Sequence, residues 1–489
     1  MRAPAHRRVA LAGSVVGAVL VALDGTVLTV VQPALQRDLG ASLPQVQWTS
    51  TGYLIAVASL LVFAGRLGDR YGHRRLFAYG MLGFAAASAG IGCAPGIGWV
   101  IGLRVVQGVC GALLQPATLG MLRAAYPPDE LGMPIALRTS AIGVAAATGP
   151  LVGGVLTAHF GWRSVFFLGV LPAVAIALLV LLVRDPEPRA ATRAGGLDAG
   201  GALLLGTALA CLVAVLVVVP GSGWTAAAVL AAGGAIAATV VLVGHERRAP
   251  SPLLPPSVVG SRIVVAALGV LLAASAALSG SLFVATYFLQ DVLGLDALDT
   301  ALRMVPAAVC IVLAAPLSAV LTRRVGARVT TGAGMALMTL GVFAFGRLDT
   351  SATGLAVGVC AFAIGAGFGT VMVSATEVLV RRAGVADAGV AGGLQQTAMN
   401  VGPTLGVALS TTLLATGTGF VTSMATALTV LALATGAGAV ACLLLPGRAR
   451  NGVSAGSRRS TPVPPAAAAP PPPTSRASRG PTAPPTPGR

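Results

Sequence analysis

Lysine is missing from this 489-residue chain, so all 32 basic side chains are arginines. Charged residues of both signs make up only 10% of the chain and aromatic residues only 4%. Hydrophobic residues reach 55%, and the mean hydropathy is +0.86. A soluble protein of this composition would have too little polar surface to cover its core, so we expect lipid to be most of its solvent.

Several chemical signatures are also missing from the sequence. Without lysine there is no Gly-Lys-Ser/Thr phosphate-binding loop, and the four histidines form no metal or Ser-His-Asp pattern. The six cysteines lie in apolar segments at spacings that match no metal site, which favours a packing role. The sequence therefore predicts no enzyme activity, no ATP-driven transport, and no cofactor or metal.

Fourteen apolar segments of about 18 to 25 residues are present, each long enough to cross about 30 Å of hydrocarbon as a helix. They lack two-residue alternation, which excludes a β-barrel and predicts an all-α integral membrane protein. The first segment follows Arg7 and Arg8 like a signal peptide, but it continues to Ala34 without a small-residue cleavage site, which favours a membrane span. The segments begin near Val9, Trp48, Leu76, Ile97, Pro134, Ser164, Ala199, Thr225, Ile263, Ala301, Val329, Gly354, Val390 and Val421.

The arginines are distributed unevenly between the two sides of the predicted membrane. With a cytoplasmic N-terminus, 27 of the 32 lie in inner loops, at inner helix ends or in the tail. Four (Arg37, Arg163, Arg303 and Arg347) lie outside, and Arg104 lies within a span. This asymmetry follows the positive-inside rule, so both termini are predicted to be cytoplasmic and the basic charge does not indicate nucleic-acid binding.

Polar breaks divide the chain into four predicted regions. Residues 1–183 form an N-terminal six-helix bundle, residues 184–257 an inserted two-helix hairpin with flanking loops, and residues 258–446 a C-terminal six-helix bundle. Residues 447–489 form a Pro-rich cytoplasmic tail, whose composition predicts disorder.

The two predicted bundles carry similar segments at equivalent places. The turn "GRLGDRYGHRR" after span two matches "LTRRVGAR" after span ten, and "ATGPLVGG" in span five matches "NVGPTLG" in span thirteen. Parallel repeats of this kind are typical of transporters whose substrate path lies between the two halves.

The turn "GRLGDRYGHRRLF", from Gly65 to Phe77, has short glycine spacing and an acid that is able to cap a helix or pair with a neighbouring arginine. The pattern resembles the signature loop of the major facilitator superfamily, with His73 where a basic residue is usual. The resemblance implies the major facilitator fold and a cytoplasmic gating loop. Its gating residues would be Gly65, Asp69, Arg70, Gly72 and Arg74.

Span four places Arg104, Gly108, Gly111 and Gln115 on one helix face. An arginine at membrane depth needs a partner or a wet cavity, unless it snorkels to the outer interface. The segment is similar to the superfamily motif Arg-x-x-Gln-Gly at Arg104, Gln107 and Gly108, which implies a role for the arginine in proton coupling.

Span one carries a single acid, Asp24, in an apolar run. At 1.5 Å per residue, Asp24 lies about 22 Å from the inner edge of the membrane and Arg104 about 10 Å from the outer edge. In a core of about 30 Å the two charges are therefore level. A protonatable acid beside a cation is able to load and release a proton, so Asp24 is the predicted proton site and Arg104 its modulator.

Span five carries glycines and a proline that predict close packing and a kink. The segment resembles the antiporter motif of family members that export drugs in exchange for protons. The matching residues are Gly143, Gly149, Pro150, Gly153 and Gly154.

The fourteen-span layout resembles the drug:proton antiporter-2 branch of that superfamily. "LDGTVLTVVQPAL" at 23–35 and "GWRSVFFLGVLP" at 161–172 are similar to motifs of the branch. Gly169 departs from the pattern where asparagine is common, and Gln32 where a small residue is frequent.

Four further polar residues, Gln107, Gln115, Gln396 and Asn400, are candidates for the substrate cavity, with helix–helix hydrogen bonding as the alternative for the last two. Glu377 lies four residues before Arg381, which predicts an ordinary helical ion pair.

The sequence therefore predicts a multi-pass protein of the bacterial plasma membrane, which is the inner membrane in bacteria that have two membranes. It would be a proton-coupled antiporter that exports small organic compounds, antibiotics among them, by alternating access. Its partners would be the substrate, protons and the lipid bilayer. Two alternatives stay open: a proton-coupled uptake symporter for a nutrient or peptide, and a non-transporting membrane sensor or scaffold.

Overall fold

A computed structural model describes residues 2–182, 198–249, 252–254, 260–295, 297–383, 387–416 and 419–447. In these ranges the regular structure is helical, without a β-strand. The predicted break at 184–196 and the predicted tail after residue 447 lie outside the described residues. The described α-helices are α1 (Arg2–Asp38), α2 (Leu43–Tyr71), α3 (His73–Gly92), α4 (Ile97–Ala125), α5 (Gly132–Phe160), α6 (Trp162–Leu168), α7 (Val170–Leu182), α8 (Ala199–Ser222), α9 (Ala226–Glu246), α10 (Arg262–Tyr287), α11 (Ala297–Val325), α12 (Ala327–Phe345), α13 (Gly354–Ala383), α14 (Ala388–Thr416) and α15 (Phe420–Ala441).

Thirteen of the predicted span starts lie within one of these helices, and the other, Thr225, is the residue directly before α9. The sixth span is split into α6 and α7 at Gly169. In the described part of the chain, eleven helical segments are long and apolar enough to cross a membrane. The number is twelve if the two parts of α5, which meet at 45° near Pro150, count as one span. Helices α3 and α14 carry more polar residues and are not among them, so the predicted number of fourteen is not confirmed.

Large aliphatic side chains cover the outward faces of several helices. Leu171, Leu182, Leu230 and Leu355 are each more than three-quarters exposed. A soluble protein rarely exposes so much aliphatic surface, whereas lipid solvates it.

The predicted equivalence of two turns is visible in the backbone. Gly72 separates α2 from α3 at φ +97°, and Gly326 separates α11 from α12 at φ +91°. Both glycines adopt a backbone conformation that other residues rarely reach, and each lets two long antiparallel helices meet without a loop. The two turns therefore have the same local design.

The helices pack around several apolar clusters. One cluster joins α10, α12, α13 and α15 through residues such as Leu271, Phe345 and Leu428. A second joins α2, α3, α4 and α7 around Phe77 and Met81.

A third apolar cluster connects the earlier helices to the later ones. Leu119 of α4 and Ile135 of α5 pack there with Ala319 of α11 and Val380 of α13. We call the end of the bundle that holds this cluster and the two glycine turns the gate end.

Candidate functional site

Asp24 of α1 and Arg104 of α4 form an ion pair, with 2.6 Å between Oδ2 and Nη1. The Arg104 side chain is 1% exposed and that of Asp24 is 11% exposed. Arg104 also donates from Nε to the carbonyl of Thr49 at 3.0 Å. The arginine therefore points into the protein, and the alternative of a side chain snorkelling to the outer interface is wrong.

Gln107 completes a hydrogen-bonded network around the pair. Its Nε2 donates to Asp24 Oδ1 at 3.0 Å and to Ser88 Oγ at 2.7 Å, while its Oε1 accepts from Arg104 Nη1 at 2.6 Å. Both carboxylate oxygens of Asp24 are thus paired. The predicted cavity residue Gln107 has its polar groups turned toward Asp24 and Arg104.

Tyr53 of α2 lies against the guanidinium of Arg104, 4.3 Å from its ring centroid. The ring is buried, and a cation facing an aromatic ring gains electrostatic stabilisation. Gly108 permits this arrangement, because a Cβ there would lie 2.7 Å from the Tyr53 carbonyl oxygen. Sequence reasoning found the glycine but missed Tyr53, Ser88 and Thr49, because the residue spacing within α4 does not show which side chains of α2 and α3 face it.

A narrow crevice reaches Asp24 from the side of α1, α3 and α6. Leu20, Phe84, Val165 and Gly169 are among its lining residues. The partial exposure of the carboxylate therefore faces a mainly apolar space.

The glycines of the predicted antiporter motif contact two different helices. A Cβ on Gly149 would lie 2.9 Å from Thr26 Cβ, and one on Gly153 would lie 2.7 Å from Val27 Cγ1, so α5 runs closely against α1 just beyond Asp24. Gly143 instead faces α11, where a Cβ would lie 3.2 Å from Val312 Cγ2. Gly154 and Pro150 belong to the same helix.

Helix α5 is joined to α11 by a hydrogen bond near this contact. Ser140 donates from Oγ to the Val312 carbonyl at 2.7 Å.

At the gate end, Asp69 binds the beginning of α14. Its Oδ1 accepts from the backbone N–H of Gly389 at 2.8 Å, and its Oδ2 accepts from that of Val390 at 3.2 Å. Gly65 and Gly389 bring the two backbones together here, because a Cβ on either would overlap the carbonyl of the other. The carboxylate thus caps a helix N-terminus across the gate end, which the helix dipole favours.

The remaining residues of the predicted gating loop lie around this cap. His73 Nε2 is 3.1 Å from Asp69 Oδ1. Arg74 donates from Nη2 to the Leu181 carbonyl at 2.8 Å and from Nε to that of Val180, so it holds the end of α7. Arg70 stacks on Tyr71, 5.5 Å from its centroid.

Gln115 of α4 and Gln396 of α14 meet across the interior. Gln396 Nε2 donates to Gln115 Oε1, and both side chains are buried. Asn400 donates from Nδ2 to the Gln396 carbonyl at 2.8 Å. In this conformation the Gln396 amide forms the helix–helix hydrogen bond that was the alternative to lining a cavity.

Trp162 and Arg163, in the segment "GWRSVFFLGVLP", connect α6 to the end of α1 through hydrogen bonds. Asp38 Oδ2 accepts from Trp162 Nε1 at 2.9 Å and from Arg163 Nη1 at 2.6 Å. These two hydrogen bonds, that of Trp162 foremost, hold the pKa of the exposed Asp38 carboxyl below its ordinary value.

The sequence model of the Major Facilitator Superfamily matches residues 15–407 of this chain. The chain is 38% identical over 408 residues to a tetracenomycin C resistance and export protein of Streptomyces glaucescens, covering 83% of this chain and 76% of that protein. It is 35% identical over 444 residues to a probable actinorhodin transporter of Streptomyces coelicolor, covering 87% and 75% respectively.

Among solved structures, the proton:xylose symporter XylE superposes with a TM-score of 0.64 at 14% identity, covering 91% of this chain and 96% of that one. At this identity the likeness concerns the fold alone.

Proposed function

The chain belongs to the Major Facilitator Superfamily, and we propose that it exports small organic compounds, including an antibiotic, in exchange for protons. Relatives named for resistance to and export of antibiotics support drug efflux. The substrate class that we propose is mostly apolar or cationic, and the proposed location is a bacterial plasma membrane.

The paired side chains of Asp24 and Arg104 carry the proposal of proton coupling. A buried guanidinium is stable only while its charge is compensated, so protonation of Asp24 weakens the pair and favours a rearrangement of α1 against α4. Gln107 bonds to both groups through one amide and orients them toward each other while the pair is intact. We assign Asp24 the role of proton carrier and Arg104 that of its modulator.

The contacts at the gate end support alternating access. This end is closed by three contacts: the hydrogen bond of Asp69 to the start of α14, the hydrogen bond between Gln115 and Gln396, and the packing of α5 against α11 and α13. In our proposal this end faces the cytoplasm together with both termini, and the conformation is the outward-facing one in which Asp24 takes up a proton.

The proposed architecture has fourteen spans in four regions. Residues 1–183 and 258–446 form the two six-helix bundles, residues 184–257 contribute the inserted pair α8 and α9, and residues 447–489 form a cytoplasmic tail. The like conformations of Gly72 and Gly326 support the repeat of the two bundles.

The test is Asp24→Asn in inside-out vesicles, with ethidium as the transported dye. Acidifying the vesicle interior drives uptake by an exporter of this kind, and Asp24→Asn is expected to reduce that uptake more than about tenfold, because the amide does not carry the proton. The matched control is Asp38→Asn, which changes an exposed acid on the same helix and is expected to leave uptake within about twofold.

Expression of both variants is compared by immunoblot and gel filtration. An Asp24→Asn protein that is well expressed and still responds fully to the proton gradient would refute the assignment. Dye that leaves the vesicles on acidification would favour the uptake symporter.

A further inference from the structure

The inserted helices α8 and α9 are connected to the gate end. Helix α8 packs along α2, where Gly206 approaches the backbone of Ser59, and it also contacts α14. Helix α9 packs against α8 and ends at Glu246. Residues 252–254, a short stretch after α9 that we call the strap, lie against both α2 and α14.

Glu246 fixes the strap to the end of α9. Its Oε1 accepts from the backbone N–H of Leu253 and its Oε2 from that of Leu254, both at 3.1 Å. One carboxylate thus holds two successive backbone groups, an arrangement stronger than bonds between neutral groups. The strap is therefore attached to the hairpin rather than free.

Leu253 of the strap is buried between helices that must separate when the gate end opens. It is 1% exposed and packs in a cluster with Val62 of α2, Ala202 of α8 and Val390 of α14. Burial of a leucine at such a junction stabilises whichever arrangement keeps the junction intact. Here that arrangement is the closed one, since Val390 is also held by Asp69.

Arg66 connects the strap to the beginning of α14 through charge. Its Nη2 donates to the Pro252 carbonyl at 3.2 Å, and its Nη1 lies 3.4 Å from Asp387 Oδ1. Asp387 directly precedes α14, and its side chain is almost completely buried. The strap carbonyl therefore orients the arginine that binds this acid.

We propose that the inserted hairpin is a working part of the gate: through Glu246 and Leu253 the strap holds α2 against α14 and stabilises the closed gate end. This inference rests on the proposed alternating access. Glu246 and Leu253 are positioning residues, because they act through Arg66 and the junction of α2 with α14. The hairpin is thereby assigned a function besides filling space beside the bundles.

The test measures the gate directly in the full-length chain. Spin labels are attached at the exposed positions Arg75, at the start of α3, and Arg324, at the end of α11. They are introduced through an encoded ketone amino acid that leaves the six cysteines unchanged. Pulsed electron–electron double resonance then measures the distances between the two labels, which report the populations of closed and open gate ends.

Leu253→Ala and Glu246→Gln are each expected to raise the ratio of open to closed molecules about tenfold or more. The control Leu230→Ala removes the same side chain from a position on α9 that is 76% exposed, and it is expected to leave the ratio unchanged.

Gel filtration identifies folded variants, and Glu246→Gln decides alone if Leu253→Ala does not fold. Unchanged label distances in a folded variant would contradict the proposal that the strap stabilises the closed gate end. The distances do not depend on dye transport, so failure of the Asp24 assignment and failure of the strap are separate results.

Discussion

The two glycine turns at the gate end share a backbone conformation and differ in chemistry. Aligned on Gly72 and Gly326, the first turn presents Asp69 where the second presents Arg323. Asp69 caps α14, which begins across the gate end. The second turn, "LTRRVGAR", has no acidic residue that could cap the beginning of α5 in the same way.

At the beginning of α5 the acid comes from another helix. Glu377 of α13 is 1% exposed, and its Oε2 lies against Gly132, the first residue of α5, where an added Cβ would be 2.8 Å away. The expected pair of Glu377 with Arg381 is present at 3.3 Å. Besides forming this pair, Glu377 is buried at the contact of α5 with α11 and α13.

The two junctions are alike in backbone conformation and differ in the element that carries the nearby acid. An acid lies near the first residues of α14 and near those of α5, where a helix N-terminus favours negative charge. Asp69 accepts hydrogen bonds from the backbone there, whereas Glu377 is only close to Gly132. In the first case it comes from the turn and in the second from a neighbouring helix. Variants at the two junctions therefore distinguish close backbone contact from charge.

The largest effect is expected from Gly389→Ala. The added Cβ would overlap the Gly65 carbonyl, and no side-chain rotation relieves a contact between two backbones. Overpacking of this kind costs about 1–3 kcal/mol, so proton-driven efflux should fall about tenfold or more.

Gly132→Ala is the matched change at the second junction. It meets only the flexible end of Glu377 and should stay within about twofold. Equal losses in the two variants would mean that the junctions are packed alike.

A smaller effect is expected from Asp69→Asn. The amide keeps the shape but loses one of two acceptors and the charge at the start of α14, which together are worth about 1–2 kcal/mol. We expect about a fivefold to tenfold loss of efflux, with a larger open population between the labels at Arg75 and Arg324. Asp129→Asn is the control, since that acid pairs with Arg381 at the surface. Efflux and gate populations that match the unchanged protein would contradict a capping role for Asp69.

Helix rise alone predicts the level at which Asp24 and Arg104 meet, because depth follows from counting residues along two antiparallel spans. Counting gives no rotation about the helix axis and does not say which helices are neighbours. Tyr53 and Ser88, on α2 and α3, were missed for that reason. At the gate, the Gly-x-Leu-x-Asp pattern pointed to Asp69, whereas the part played by Arg66 depends on a strap that follows it by 186 residues.

The strap also shows why a polar break in the sequence is a poor guide to function. "HERRAPSPLLPPS" reads as a linker by its prolines and charges. Two of its leucines are nevertheless held by the glutamate at its own beginning. Local composition carries no information on a contact that depends on where α2 and α14 come together.

The smallest and most specific effect is expected from moving the acid at the second junction. Glu377→Gln removes the charge beside α5 and should reduce efflux about threefold, in line with less than about 1 kcal/mol at a helix N-terminus. Adding Arg323→Asp places an acid where the first turn has Asp69, and should restore efflux to within about twofold of the original chain. Arg324→Asp in the same background is the control, because it adds the same charge one residue away. If both additions restore efflux equally, the net charge of the turn matters and the position equivalent to Asp69 does not. If only Arg323→Asp does so, either element supplies the acid that closes the junction.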